Sequence, residues 1–257
     1  MGQRLGQHFL ADENVLKTIA SLSEIKPTDS VVEIGPGHGE LTKYLAKKKP
    51  KNLILIEADR ELASALKKSF SEAEVVEGDV LEVLQKTVAS FKGDYIVVGN
   101  IPYYITGYLF RIIGDLDKKP KTIVFTVQKE VALRICAKPP RMNLLAASVQ
   151  FWAEPKLEMI VKRELFSPPP KVDSAVIKLS VLSAKPEKES EKYYEFIKRV
   201  FAQPRKTILN NLSNGFDMTK NEASEKLARA GIKPGDRPQN LTINKISILA
   251  AEFYAKK

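Results

Sequence analysis

Residues suited to recognising a nucleoside follow three successive apolar, strand-like segments of the sequence. Gly35 and Gly37 follow the first segment, Glu57 the second and Asp79 the third. Glycines allow the backbone to turn sharply and to approach a ligand closely. A carboxylate about twenty residues further on can accept hydrogen bonds from ribose hydroxyls, and Asp79 could accept one from an adenine amino group. Because each group stands at a strand end, we expect all four to form one nucleoside site.

A fourth strand-like segment ends in Asn100-Ile101-Pro102-Tyr103, which has the N-x-P-Y pattern of enzymes that methylate an amino group. The exocyclic nitrogen of adenine is a weak nucleophile because its lone pair is delocalised into the ring. The Asn100 side-chain oxygen and the Ile101 carbonyl could accept its two hydrogens and favour a reactive, tetrahedral nitrogen. Pro102 would fix that backbone, and Tyr103 would stack on the extruded base. These four residues are the predicted catalytic group.

The same glycine turn lacks the lysine-bearing loop that binds nucleoside triphosphates. S-adenosylmethionine carries adenine, ribose and an amino-acid tail but no phosphate, so it is the predicted cofactor, with S-adenosylhomocysteine as the product. Glu40 stands where the dinucleotide fingerprint has its last glycine, which disfavours a nicotinamide-dependent dehydrogenase.

The elements that position these residues are short apolar strands alternating with helices. This alternation predicts an α/β fold with a mostly parallel sheet covered on both faces. After residue 182 the pattern changes to a polar linker at residues 184–190 and then to helices. We therefore predict a cofactor-binding domain over residues 1–182 and a small helical domain over 183–257.

The charge balance indicates a polyanionic partner. The chain of 257 residues carries 41 Lys and Arg against 31 Asp and Glu, a net charge of +10. Residues 183–257 are more basic than average, with fifteen Lys and Arg against nine Asp and Glu. Arg205 and Lys206, expected to open a helix there, are the predicted RNA phosphate contacts.

Several classes of site are disfavoured by composition. One cysteine, Cys136, cannot form an internal disulfide, and with only two histidines a metal centre is not expected. A zinc deaminase, which also acts on an extruded adenine, would need a ligand set that this chain lacks. No apolar run approaches the length of a membrane span, and we expect a cytoplasmic monomer.

Taken together, these motifs resemble the ribosomal RNA adenine N6,N6-dimethyltransferases, and among them the small-subunit enzymes associated with kasugamycin sensitivity. The resemblance covers nearly the whole chain. The matching segments, in the family's order, are residues 6–10, 33–37, 56–59, 78–79, 99–103, 166–176 and 201–208.

The resemblance implies a Rossmann-like methyltransferase fold with seven strands, the last antiparallel and inserted at an edge, and a small C-terminal helical domain. It also implies that His8 and Leu10 line the cofactor pocket with Gly35. Asn100 would border both cofactor and target base, and Phe166 would face Tyr103 across that base. The implied substrate is a pair of adjacent adenines in a hairpin near the 3′ end of 16S ribosomal RNA, either as RNA alone or in an assembling small subunit.

Two other functions remain open. The related macrolide-resistance methyltransferases share the core and modify an adenine of large-subunit RNA, although residues 166–175 and 205–207 are closer to the small-subunit branch. A non-catalytic ribosome-assembly or transcription factor could keep the same fold. The intact N-x-P-Y motif argues against a loss of activity.

Overall fold

The computed structural model describes residues 8–182 and 187–254. The strands, in chain order, are β1 (Phe9–Leu10), β2 (Ser30–Ile34), β3 (Asn52–Glu57), β4 (Glu74–Glu77), β5 (Tyr95–Asn100), β6 (Thr122–Gln128), β7 (Ala153–Val161), β8 (Phe166–Ser167) and β9 (Ser174–Val181). The α-helices are α1 (Glu13–Leu22), α2 (Thr42–Ala46), α3 (Arg60–Ser69), α4 (Val80–Ala89), α5 (Thr106–Asp115), α6 (Lys129–Ile135), α7 (Leu144–Gln150), α8 (Glu187–Val200), α9 (Ile208–Gly215), α10 (Lys220–Arg229) and α11 (Ile243–Tyr254).

Seven strands of the described chain form one sheet, in the order β4-β3-β2-β5-β6-β9-β7. The neighbours from β4 to β6 pair in parallel, and β9 pairs antiparallel with β6. All five residues of β2 are buried, as expected for a parallel strand covered on both faces. The predicted Rossmann-like α/β fold is therefore confirmed.

The family resemblance implied that the last strand lies at an edge of the sheet, but it does not. β9 is inserted between β6 and β7, and β7 forms the edge. The burial of the two strands gives the physical reason. Ala175, Val176, Ile177 and Leu179 of β9 are fully buried, so this strand needs neighbours on both sides, whereas β7 carries exposed residues along its length.

A two-stranded antiparallel ribbon ties the N-terminal segment to the segment before β9. β1 pairs with β8, with Phe9 opposite Ser167 and Leu10 opposite Phe166. The Ala11 N–H extends the contact by donating to the Leu165 carbonyl at 3.0 Å. Neither strand was expected from the sequence pattern.

The sheet changes direction at β2. From β2 the chain continues outward through β3 and β4 on one side, then returns to β5 and β6 on the other. Since these strands are parallel, their carboxyl ends meet at one edge of the sheet. The gap between β2 and β5 at this edge is where open α/β sheets bind ligands.

The chain divides into two compact units. The first unit comprises Met1–Ala132 with Glu154–Leu182, and the second comprises Leu133–Ala153 with Ser183–Lys257. A boundary after residue 182 was predicted, but residues 133–153 were assigned to the first domain. Of the predicted linker, residues 187–190 begin α8 and residues 184–186 lie outside the described chain.

Contacts within the second unit explain why residues 133–153 belong to it. The Tyr193 hydroxyl, on α8, donates to the Ala147 carbonyl of α7 at 3.0 Å. The Phe151 ring stacks on the Tyr193 ring with their centroids 3.7 Å apart and an interplanar angle of 9°.

Among the described residues, no helix has the length and apolar character to cross a membrane.

Candidate active site

A cavity in the first unit opens at the carboxyl ends of β2, β3, β4 and β5. Including its open mouth, the empty space between the lining residues is about 930 Å³. Ten of the residues predicted from sequence line it. They are His8, Gly35, Gly37, Glu57, Asp79, Asn100, Ile101, Pro102, Tyr103 and Phe166.

Glu57, the last residue of β3, is 4% exposed and is held by backbone groups on both oxygens. Its Oε2 accepts from the Gly37 N–H at 3.1 Å, and its Oε1 accepts from the Asp59 N–H at 3.0 Å. Burial raises the pKa of this carboxyl, and the two backbone hydrogen bonds oppose that shift. Each oxygen retains a lone pair for a ligand hydroxyl, so the carboxylate fits a ribose.

Gly37 must be glycine for two separate reasons. Its φ of +62° lies in the left-handed region, and a Cβ at this position would come within 2.7 Å of the Phe9 ring. That ring also packs against His38, with centroids 4.5 Å apart. Any side chain at residue 37 would therefore displace Phe9 from the cavity wall.

Asp79 has a structural role as well as a place in the cavity. It is the N-cap of α4, and its Oδ1 accepts from the Leu81 N–H at 2.9 Å. Its Oδ2 accepts no hydrogen bond from the described part of the chain. One oxygen thus holds the helix start while the other can accept from a ligand amine.

The Asn100 amide, at the end of β5, is oriented by the N-terminal segment. Its Nδ2 donates to the His8 carbonyl at 2.9 Å, which assigns Oδ1 to the opposite side of the amide. The His8 ring is fixed in turn, because its Nδ1 lies 2.8 Å from the Pro168 carbonyl and a carbonyl can only accept. A hydrogen-bonded series from Pro168 to His8 to Asn100 therefore sets the direction of the acceptor.

The rest of the motif forms a fixed turn beside Asn100. The buried Ile101 donates its N–H to the Thr126 carbonyl at 3.0 Å. The Tyr103 hydroxyl lies 3.0 Å from the Ser174 Oγ, which holds the ring at the cavity wall. Burial raises the pKa of Tyr103, so this phenol is neutral at physiological pH and provides a flat, uncharged face.

Phe166 and Leu10 were both taken from the family resemblance, and only one of them lines the cavity. Phe166, in β8, is buried and lines the cavity as expected. Leu10 does not line it. Its side chain belongs to the hydrophobic core and borders a smaller adjoining cavity with Gly35 and Asn100. Its neighbour Phe9 borders both cavities.

Arg205 and Lys206 belong to the second unit and are exposed. The sequence suggested that these two residues open a helix, but they lie in the turn before α9. Thr207 is the N-cap, and its Oγ1 accepts from the Asn210 N–H at 3.3 Å. Both side chains are therefore on an exposed turn at the start of the helix.

Sequence reasoning missed the apolar wall of the cavity and its rim. The additional lining residues are Phe9, Ile34, Ile56, Ala58, Gly78, Val80, Tyr104 and Ile105. Each stands within two residues of a predicted site residue. Apart from Tyr104, none of them has a side chain with distinctive chemistry, so only their position beside the strand ends could have indicated them.

Glu33 lies beneath the glycine turn as a buried carboxyl group. The Thr42 hydroxyl donates to its Oε2 at 2.7 Å. Burial, with smaller contributions from the charges of Glu40 and Glu57, raises the pKa of Glu33 to about 8. Glu33 is therefore protonated at neutral pH, which spares the glycine turn a second buried negative charge beside Glu57.

No group of three or more His, Cys, Asp or Glu side chains within the described residues is placed to hold a metal ion. The residues of the cavity instead present two carboxylates, an oriented amide and an aromatic ring. This set fits a nucleoside-bearing cofactor beside a planar base.

Comparison with known proteins agrees with this geometry. The family model for ribosomal RNA adenine dimethylase matches residues 2–254. The ribosomal RNA small subunit methyltransferase A of Mycoplasma capricolum is 39% identical over 249 residues, which are 93% of this chain and 92% of that protein. The protein of the same name from Dehalococcoides mccartyi is 35% identical over 255 residues, 97% of this chain and 87% of that one.

Two solved structures are similar over nearly their whole length. A dimethyladenosine transferase from Plasmodium falciparum aligns with a TM-score of 0.80 at 26% identity, covering 96% of this chain and 97% of that one. The 23S rRNA methyltransferase ErmE aligns with a TM-score of 0.74, also at 26% identity, covering 95% and 98%. The family predicted from the motifs is confirmed: the chain belongs to the ribosomal RNA adenine dimethylase family.

Proposed function

We propose that this protein dimethylates N6 of two adjacent adenines in a hairpin near the 3′ end of 16S ribosomal RNA. The substrate is an assembling small subunit, and the enzyme acts as a cytoplasmic monomer. One observation carries the proposal: the cavity of the first unit brings Glu57 and Asp79 together with the Asn100 amide.

S-adenosylmethionine, when bound, supplies an electrophilic methyl group. The two free lone pairs of the Glu57 carboxylate would hold the ribose hydroxyls. Asp79 Oδ2 would accept from the adenine amino group of the cofactor. Gly35 and Gly37 would allow the backbone to approach it closely, and His8 would border it. The product is S-adenosylhomocysteine, and no metal takes part.

The target adenine would be held by acceptors and aromatic rings. Asn100 Oδ1 and the Ile101 carbonyl accept the two N6 hydrogens and draw the nitrogen toward a tetrahedral shape. Neither acceptor needs to be a strong base, because the nitrogen's proton becomes acidic once the methyl group has been added. Pro102 fixes the turn that presents the Ile101 carbonyl. Alignment of amine and methyl then provides much of the rate.

Tyr103 and Phe166 would enclose the target adenine once it has left its base stack. Both line the cavity, and Tyr103 is held by its hydrogen bond to Ser174. An adenine stacked between its neighbours cannot reach Asn100, so the base must be extruded, and aromatic faces offset the stacking that it loses.

The second unit would bind the RNA backbone. It carries eighteen Lys and Arg against nine Asp and Glu, a net charge of +9, whereas the first unit carries 23 against 22. Residues 133–153 add three of these basic side chains and no acidic one. Arg205 and Lys206 are exposed members of this set and would contact phosphates.

The choice of ribosomal subunit is the point to test first. Relatives named small subunit methyltransferase A, at 35–39% identity, support the small-subunit substrate, while ErmE is similar at 26%. Labelled cofactor would be supplied with undermethylated small subunits and, separately, with large-subunit RNA, and dimethyladenine would be mapped. We expect two adjacent dimethyladenines in the small-subunit hairpin.

Other outcomes of that experiment would overturn the proposal. Methylation of large-subunit RNA alone would assign the chain to the macrolide-resistance type of reaction. Binding to small subunits without any methyl transfer would indicate a non-catalytic assembly factor.

A further inference from the structure

Tyr104 and Tyr108 differ from the other tyrosines of the chain. They are 73% and 61% exposed. Within the described residues neither has a hydrogen bond, a ring contact or a nearby cation. The other six of the eight tyrosines all have such a partner: Tyr44, Tyr95, Tyr103, Tyr193, Tyr194 and Tyr254. The fold therefore does not account for two large aromatic side chains.

Both tyrosines lie near the start of α5. Tyr104 lies two residues before the helix, and Tyr108 is in its first turn. Gly107 between them is exposed, and a Cβ on it would have no atom within 4 Å. The intervening Ile105 is buried. Tyr104 and Tyr108 are thus two exposed aromatic side chains at the start of α5, here named the aromatic face.

This face adjoins the candidate active site. Tyr104 lines the rim of the cavity directly after Tyr103, which lines its wall. Tyr103 is held by Ser174, whereas Tyr104 points to solvent. Two consecutive tyrosines thus present one ring inside the cavity and one outside it.

We propose that Tyr104 and Tyr108 form the binding site for the adenine next to the one in the cavity. This inference rests on the proposed function, in which the two substrate adenines are neighbours on one strand. Only one of them can occupy the cavity, so the other lies within one nucleotide of its rim. Extruding the first adenine removes a stacking partner from the second, and an exposed aromatic ring replaces that partner.

The face would also set which base enters the cavity. An adenine stacked on Tyr104 fixes the RNA strand, so that the base that enters the cavity is the one directly before or after that adenine. After the first adenine is dimethylated, the two bases can exchange places between the cavity and the rim. The aromatic face is therefore a positioning site, because it does not touch the reacting atoms.

The test compares single-turnover and steady-state kinetics of Tyr104→Ala, Tyr104→Phe and Tyr108→Ala on undermethylated small subunits. We expect Tyr104→Ala to lower kcat/KM by about 5- to 150-fold, the range for the loss of one stacked base. Tyr108→Ala should act in the same direction, and Tyr104→Phe should restore most of the wild-type value. Binding of S-adenosylhomocysteine should be unchanged in all three. Leu182→Ala, which also removes an exposed apolar side chain of the first unit, should match the wild type.

A second substrate identifies the occupant. In small subunits reconstituted with 16S RNA whose neighbouring adenine is replaced by an abasic nucleotide, wild-type kcat/KM should fall to the level of Tyr104→Ala. The variant should lose nothing further, because both changes remove the same contact. Losses that multiply would overturn the inference, as would a Tyr104→Ala variant equal to the wild type or defective in cofactor-product binding. A wild-type protein that forms no dimethyladenine would overturn the proposed function itself.

Discussion

The side-chain amide of Asn100 donates to the main-chain carbonyl of His8 at 2.9 Å, across 92 residues of sequence. This contact joins the end of a central strand to the segment that enters the β1–β8 ribbon. Because the amide nitrogen is occupied, the amide oxygen is the group presented to the cavity. The orientation of the proposed acceptor therefore depends on a main-chain atom, which substitution of His8 leaves in place.

Asn100→Ala should stop methyl transfer while leaving cofactor binding intact. The substitution removes the acceptor for an N6 hydrogen, and a loss of about 10²–10³ in kcat is typical for one oriented polar group of this kind. Glu57 and Asp79, the proposed cofactor contacts, are unchanged. Single-turnover rates and calorimetric binding of S-adenosylhomocysteine measure the two effects separately. If transfer and binding fall together, Asn100 acts mainly on the cofactor.

Glu57→Ala should show the opposite pattern. The loss of a carboxylate that hydrogen-bonds two ribose hydroxyls should weaken cofactor binding by about 1–3 kcal/mol, or 5- to 150-fold in Kd. The exposed Glu61→Gln change, in the first turn of α3, is the control for a lost negative charge. An unchanged Kd for Glu57→Ala would show that the ribose lies elsewhere.

Gly37→Ala should reduce both stability and cofactor affinity. The new Cβ meets the Phe9 ring at 2.7 Å, and its φ of +62° costs a non-glycine residue roughly 1–2 kcal/mol. Gly93→Ala is the matched control, since a Cβ there has no atom within 4 Å. Thermal unfolding and cofactor-product binding are the measurements. Equal behaviour of the two variants would mean that Phe9 moves aside freely.

The strand ends were predictable because buried parallel strands are continuous apolar runs in the sequence. Glu57 and Asn100 each end such a run, and Asp79 follows the short strand β4 by two residues, so their meeting at one edge follows from the parallel arrangement. The Asn100 side chain was expected at this edge, and it lines the cavity there. Its partner was not, because a main-chain carbonyl has no sequence signature.

Other features lay outside what periodicity can indicate. β1 and β8 have two residues each, too few for an alternating pattern, and they pair residues about 160 apart. Leu10 lies in this ribbon, and no sequence pattern indicates that it borders the smaller cavity and not the main one. The grouping of residues 133–153 with the second unit depends on ring packing between Phe151 and Tyr193.

Glu33 should make the protein less stable as pH rises through the neutral range. Its folded pKa of about 8 lies above the ordinary value of 4.5 for glutamate. Between these values the folded state holds a proton that the unfolded state has lost, so stability falls from about pH 4.5 to about pH 8 and then levels. At about 1.4 kcal/mol per pH unit, this group contributes a loss of up to roughly 5 kcal/mol.

Glu33→Gln should remove that contribution while keeping an acceptor for the Thr42 hydroxyl. Urea unfolding at a series of pH values would give the free energy of unfolding for both proteins. We expect the variant to gain on the wild type steadily between pH 5 and pH 8. The exposed Glu74→Gln change is the control. Parallel profiles for wild type and Glu33→Gln would mean that Glu33 is ionised in the folded protein.

Arg205→Ala combined with Lys206→Ala should weaken RNA binding through lost phosphate contacts. Each contact to RNA contributes about 0.7–0.9 to the slope of log K against log salt, so the loss of two contacts should lower the slope by roughly 1.4–1.8. Removing the same number of charges from α3, by Lys67→Ala with Lys68→Ala, is the control in the nearly neutral first unit. Hairpin affinity measured from about 50 to 300 mM salt, over which the Debye length shortens as salt rises, separates the two pairs. If both double variants change the slope equally, binding follows net charge and has no preferred site on the second unit. If only the double variant of α3 changes the slope, the RNA lies against the first unit.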